Sequence, residues 1–309
     1  MEALTRMRTN SLPGPHVRAA ILWLLSLLLF WQPLRALAGL SFQDENSTHI
    51  LLIPAISALL IYLERGSIFR LRRDSLLPGV PLLLVAISLW YGLQAPLASL
   101  DARNRMSAQA ALIVLVWIAI FVLCYGAGAF KAATFPLLYL SLMIPLPAAV
   151  IDGLISFLQK ASADTSYVLF RLLGTPVLRH GFRFSLPGLE IEVARECSGI
   201  HSALSLLIAG LLVAYFALPG ARKRILFVAC ILPIAIFKNA VRIVTLAWLS
   251  IYVNPAIIEG RLHRQGGVPF SVIALILMAV LLWVLRRRST FSLGRTLRTA
   301  YSHLHLARN

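Results

Sequence analysis

The stretch "ILFVACILPIAIFKNAVRIVTLAWLSIY", residues 225–252, runs for 28 residues and is apolar except at Lys238, Asn239 and Arg242. A helix needs roughly 20 such residues to cross a hydrocarbon core, so this stretch reads as a membrane span. Asn239 and Arg242 are three apart and share one helix face. An arginine inside a span is costly unless it faces a polar cavity or a partner, which makes it a functional residue by default. The alternative is that Arg242, in the outer half of the span, extends its guanidinium to the headgroups.

The rest of the chain agrees. Of its 309 residues 59% are hydrophobic, and the mean hydropathy is +0.81, too apolar for a soluble domain of this size. The net charge is +17, yet only 13% of residues are charged. The basic ones sit in short clusters between apolar runs, as in cytoplasmic loops, so nucleic acid is not indicated as a partner. The three cysteines show no paired spacing and no neighbouring ligand set, which excludes a disulfide framework and a structural zinc site.

Eight spans are predicted, at about 17–36, 49–63, 77–94, 107–126, 133–157, 198–218, 225–252 and 268–285. The first, which follows Arg6, Arg8 and Arg18, lacks a small-residue cleavage site after its apolar core and reads as an uncleaved span. Arginines before it, the cluster Arg65, Arg70, Arg72 and Arg73, the cluster Arg222, Lys223 and Arg224, and the run Arg286–Arg288 all fall on one side, so both termini are expected in the cytoplasm.

The segment 158–197 then lies outside. "LQKASADTSYVLFRLL" is expected to form a short amphipathic helix ending at Gly174, and "RFSLPGLEIEV" a hairpin turning at Pro187-Gly188. The fold class is thus all-α: a polytopic membrane protein of about eight spans with a small extracytoplasmic helix and β-hairpin insertion. Residues 1–288 are read as one transmembrane domain and 289–309 as a short basic cytoplasmic tail.

That hairpin leads into "RECSGIHSAL", residues 195–204. Cys197 is placed at the start of the sixth span beside Arg195, and a helix N-terminus and a cation both favour the thiolate. Ser198 and Gly199 suit a first helical turn whose N–H groups stabilise an oxyanion. A small buried residue at a helix end is the bland alternative; it suits Cys124 and Cys230, which lie inside apolar runs. His263, in "EGRLHRQGGVPF", is expected on the same outer side, with Gly266 and Gly267 allowing the loop to fold back. Together these groups suit acyl transfer: Cys197 as nucleophile, His263 as general base and acid, Arg242 as oxyanion donor, with Asn239 as a further donor or an orienter of Arg242 and Glu196 beside the thiol. His201 is nearer in sequence to Cys197, but His263 can swing over it.

These motifs resemble the exosortase/archaeosortase family of polytopic membrane cysteine transpeptidases. "STHILLIPAIS" is similar to the family's early histidine element, with Ile50 in place of a glycine. "FPLLYLSLMIPLP" and the following Leu158-Gln159 resemble its central stretch, "ECSGI" its nucleophile motif, "NAVRI" its arginine motif, and His263 with Gly267 its histidine motif. At 264, where the family pattern has an acidic residue, Arg264 stands.

The resemblance implies Cys197, Arg242 and His263 as the catalytic set, with no cofactor. It also implies an inner-membrane enzyme, active on the extracytoplasmic face, whose partners are exported proteins bearing a C-terminal signal: a short motif such as Pro-Glu-Pro, a transmembrane helix and basic residues. Two other classes compete. A transporter or channel with an arginine-lined pathway accounts for Arg242 but leaves Cys197 without a task. A lipid-linked transferase calls for carboxylates in the spans, where Asp152 alone is deep in an apolar run.

Overall fold

The computed structural model describes residues 14–71, 79–254 and 269–287. They form two compact units, residues 1–150 and 151–309. The helices in chain order are α1 Pro15–Leu29, α2 Trp31–Gln43, α3 Leu52–Leu63, α4 Arg65–Arg70, α5 Gly79–Gly92, α6 Gln94–Ala98, α7 Ala102–Ala132, α8 Thr134–Tyr139, α9 Ala148–Leu172, α10 Ile200–Ala217, α11 Ala221–Tyr252 and α12 Pro269–Arg287.

Five of these segments are long and apolar enough to cross a bilayer: Glu45–Leu63, Ala102–Ala132, Ile200–Ala217, Ala221–Tyr252 and Pro269–Arg287. Two bent pairs raise the number to seven among the described residues. The chain is therefore an all-α polytopic membrane protein with five to seven such spans, where eight were expected. The stretch expected to span at 77–94 forms α5, whose 14 residues extend only about 21 Å against a core of roughly 30 Å.

Two expected boundaries move for a common reason, proline. The first span is not one rod: α1 and α2 meet at 75°. Pro33 lies four residues past Leu29, where its ring clashes with the carbonyl that would continue α1. The expected span 133–157 is likewise interrupted at Pro145 and Pro147. Beyond Pro147, α9 continues unbroken for 25 residues, so the expected separate amphipathic helix is the second half of α9. Gln159 and Lys160 are good helix formers and do not end it.

In the first unit α7 is the central helix, with α1, α2, α4 and α5 packed around it. Gly79 sets the approach of α5, because a Cβ there would collide with the backbone of Leu123. Where lipid replaces water there is little hydrophobic drive between helices, and polar contacts contribute more. Trp117 Nε1 donates to Ser26 Oγ at 3.0 Å, His16 Nδ1 meets the Tyr125 hydroxyl at 3.1 Å, and Ser57 Oγ donates to the Pro136 carbonyl at 2.8 Å. Between spans, Arg103 clamps Asp44 at 2.7 Å. Burial alone would raise the Asp44 pKa, but hydrogen bonds from Arg103, Ser47 and the Asn46 amide, with the Arg103 charge, hold it below its ordinary 3.8.

In the second unit three strands, β1 Leu178–His180, β2 Arg183–Leu186 and β3 Leu189–Glu192, form an antiparallel sheet in that order. Phe184 faces Ile191 and Leu186 faces Leu189 across the β2–β3 pair. With Val193 they bury one sheet face against Ala163 and Phe170 of α9 and Val244 and Ala247 of α11. Arg179 adds an ion pair from β1 to Asp164 of α9 at 2.7 Å. A second core joins α10, α11 and α12 through Leu206, Phe227, Ile231 and Met278. On α12, Val272, Ile276, Val280 and Trp283 are exposed at helical spacing, a stripe suited to lipid.

Candidate active site

After β3 the chain does not enter α10 directly. Residues Arg195–Ser198 form a 3-10 turn, closed by the Cys197 N–H donating to the Ala194 carbonyl at 3.0 Å. Gly199 follows in the left-handed region at φ 78° and serves as the N-cap of α10. Cys197 and Ser198 thus lie in a 3-10 turn ahead of α10, where the sequence alone predicts that they open the span. The cause is Gly199, whose conformation ends one helix and starts the next.

Asn239 adds a tight contact to the positive φ that already favours glycine at 199. Its side chain, 1% exposed, packs so closely that a Cβ on Gly199 would lie 3.0 Å from its Cγ and 3.1 Å from its Oδ1. From there Asn239 Nδ2 donates to the Cys197 carbonyl at 2.8 Å and to Ser162 Oγ of α9 at 3.0 Å. Asn239 therefore holds the cysteine-bearing turn. One face of α11 presents Asn239 to this backbone and Arg242 to the cavity beside it.

That cavity has a volume of about 220 Å³, and its lining includes Cys197, Asn239 and Arg242 from the predicted set. Glu190, Ile191, Glu192 and Val193 line it as well. Two further ties fix its walls. Gln159 Nε2 of α9 donates to the Val193 carbonyl at 2.5 Å, and buried Lys238 donates to Ser202 Oγ at 2.5 Å, while Ser202 in turn donates to the Gly199 carbonyl at 2.8 Å. Gln159 was singled out in the sequence only through the central-stretch resemblance. The parts that Ser162, Lys238 and Ser202 play are not readable from the sequence one residue at a time; the polar spacing Gln159–Ser162–Ser166 along α9 is the available signal.

Two expected neighbours behave differently. Arg195 is ion-paired with Asp152, both of them more than half exposed. Ser198 is 1% exposed and its Oγ has no hydrogen-bond partner among the described residues. His201 lies exposed on the first turn of α10. Glu196 belongs to the 3-10 turn. His263, Arg264 and Gly267 lie outside the described residues.

A search of curated proteins and a search of solved structures each find no match to this chain. The family model for transmembrane exosortases matches residues 41–280, a range that includes the Cys197 turn, all of α11 and most of α12. With a polytopic α-helical architecture and that match over most of its length, the chain belongs to the transmembrane exosortase family.

Proposed function

We propose that this exosortase is a membrane cysteine transpeptidase or protease that cuts C-terminal sorting signals of exported proteins, of the Pro-Glu-Pro, transmembrane helix and basic tail type. The cut falls at the outer face of the inner membrane. The observation that carries this reading is the shared cavity: a cysteine and an intramembrane arginine line one space, and Asn239 bonds the backbone of the first from the helix that carries the second.

In this mechanism the Cys197 thiolate attacks the scissile carbonyl carbon and the carbonyl electrons move to oxygen. Arg242 stabilises that oxyanion, assisted by backbone N–H groups around Ser198 and Gly199. As the tetrahedral intermediate collapses, the C–N bond breaks, and His263, having accepted the thiol proton, returns it to the leaving amine. The new carboxyl end is held as a thioester on Cys197. An amine, a hydroxyl or water then attacks and regenerates the thiol. The basic clusters Arg222–Arg224 and Arg286–Arg288 support that face, because such clusters favour the cytoplasmic side and the Cys197 turn lies one span away from the first of them.

The test is processing of a co-expressed substrate carrying such a signal. Replacing Cys197 with alanine or serine should stop it, whereas alanine at Cys124 or Cys230 should leave it near normal. Normal processing in the Cys197 variants contradicts the proposal.

A further inference from the structure

Four consecutive residues, 190 to 193, line the same cavity as Arg242. Side chains of a strand alternate between its faces, so consecutive residues line a space only along the strand's edge. β3 is an edge: the sheet order is β1-β2-β3, and among the described residues nothing pairs with β3 on its far side. The register shows which backbone groups lie there. A two-residue turn at Pro187-Gly188 makes Leu186 and Leu189 a hydrogen-bonded pair, and pairing alternates from that point. Leu189 and Ile191 direct N–H and C=O toward β2, as does Val193, whose N–H reaches the Phe182 carbonyl at 3.0 Å. Glu190 and Glu192 direct theirs into the cavity; the Glu192 carbonyl already accepts from the Ala194 N–H at 3.0 Å.

We propose that β3 is the substrate-binding strand: an extended segment of the polypeptide to be cut adds to its edge as a fourth strand, bonded to the backbone of Glu190 and Glu192. This rests on the reading of Cys197 as the nucleophile. Two observations commit the site to a peptide. The edge runs without interruption to the reacting turn, since Cys197 follows Glu192 by five residues and lines the same cavity. Its recognition groups are main-chain donors and acceptors, which bind any extended peptide and leave specificity to alternate side chains. Those side chains meet two different surfaces. On the outer face Glu190 and Glu192 stand beside the added strand, with Glu192 ion-paired to Arg183 at 3.0 Å. On the inner face the neighbours are Ile191 and the apolar residues Ile243 and Leu246 of α11.

The experiment uses the full chain in proteoliposomes, with Cys197, Cys124 and Cys230 replaced by alanine and Glu190 by cysteine. The probe is a reporter protein carrying the signal described above, with a single cysteine moved one residue at a time through the ten positions before its transmembrane helix. Disulfide yield should alternate with period two, because only every second reporter residue shares the face of position 190. A flat profile, or no disulfide, overturns the proposal.

A kinetic arm compares Glu190→Pro with Glu190→Ala. Proline removes only the N–H that points away from β2, so the ladder within the sheet is kept. KM should be roughly two- to ten-fold higher for the proline variant with kcat unchanged; equal KM values count against the edge-strand reading, and the disulfide profile decides if the proline variant fails to fold. Processing by the Cys197→Ala chain reports separately on the catalytic reading. Loss of processing together with a flat disulfide profile removes the edge-strand proposal alone.

Discussion

Gly199 and Asn239 form a pair in which each makes the other necessary. An alanine at 199 would have to hold φ 78° and place a Cβ 3.0 Å from the amide of Asn239; the backbone term alone costs about 1–2 kcal/mol. Gly199→Ala is expected to lower both Tm and kcat, measured on the detergent-solubilised chain. Asn239→Ala should leave the Cys197 carbonyl without its side-chain donor, and its signature should be altered alkylation of the Cys197 thiol alongside the fall in kcat. A purely structural role would lower Tm and leave the alkylation rate of the remaining folded protein unchanged. Arg242→Lys is not a conservative change, because a fixed planar fork is replaced by a flexible point charge. It should reduce kcat by roughly 100-fold, the scale of losing one oxyanion donor. The residue types at this site were legible in sequence, since a thiol, an amide and a guanidinium stand out in apolar runs. The roles of Asn239 and Arg195 were not: the Asn239 bond to Cys197 crosses 42 residues, and the Arg195 ion pair crosses 43. No local pattern encodes contacts of that range.

At the scale of elements, what sequence reading recovers depends on where helix formers and prolines fall. α10, α11 and α12 coincide closely with the apolar runs 198–218, 225–252 and 268–285 because hydropathy and helix propensity change at the same residues. α9 does not, because polar residues such as Gln159, Lys160 and Asp164 signal an exit from the membrane without signalling an end of the helix. The bend at Phe30 was readable from Pro33 but is invisible to hydropathy. Between α2 and α7 the Asp44–Arg103 clamp gives an expectation in pH. The folded pKa of Asp44 is depressed, so its contribution is fully present above its ordinary 3.8 and is lost as pH falls through the lower folded value. Asp44→Asn should therefore lower Tm at neutral pH, and its Tm difference from the wild type should close as the pH falls below 3.8. A difference that persists in acid would assign the effect to packing.

For the whole molecule, the account requires that Cys197 and the basic cluster Arg222–Arg224 lie on opposite sides of the membrane. A reporter domain fused after Glu196 should be accessible from outside the cell and one fused after Arg224 only from inside. The inverse pattern would remove the nucleophile from the side where exported substrates arrive. The expected orientation rests on charge clusters, a whole-chain property that does not depend on individual span boundaries. The number of spans was not legible, because it turns on short or bent segments such as α5 and the α1–α2 pair. The most direct measurement is mass spectrometry of the purified chain quenched during turnover of a sorting-signal reporter. The account predicts an acyl adduct of the reporter's new C-terminus on Cys197, removable by hydroxylamine and absent after Cys197→Ala. Turnover of the reporter by the Cys197→Ala chain, or an adduct on another residue in the wild type, would contradict it.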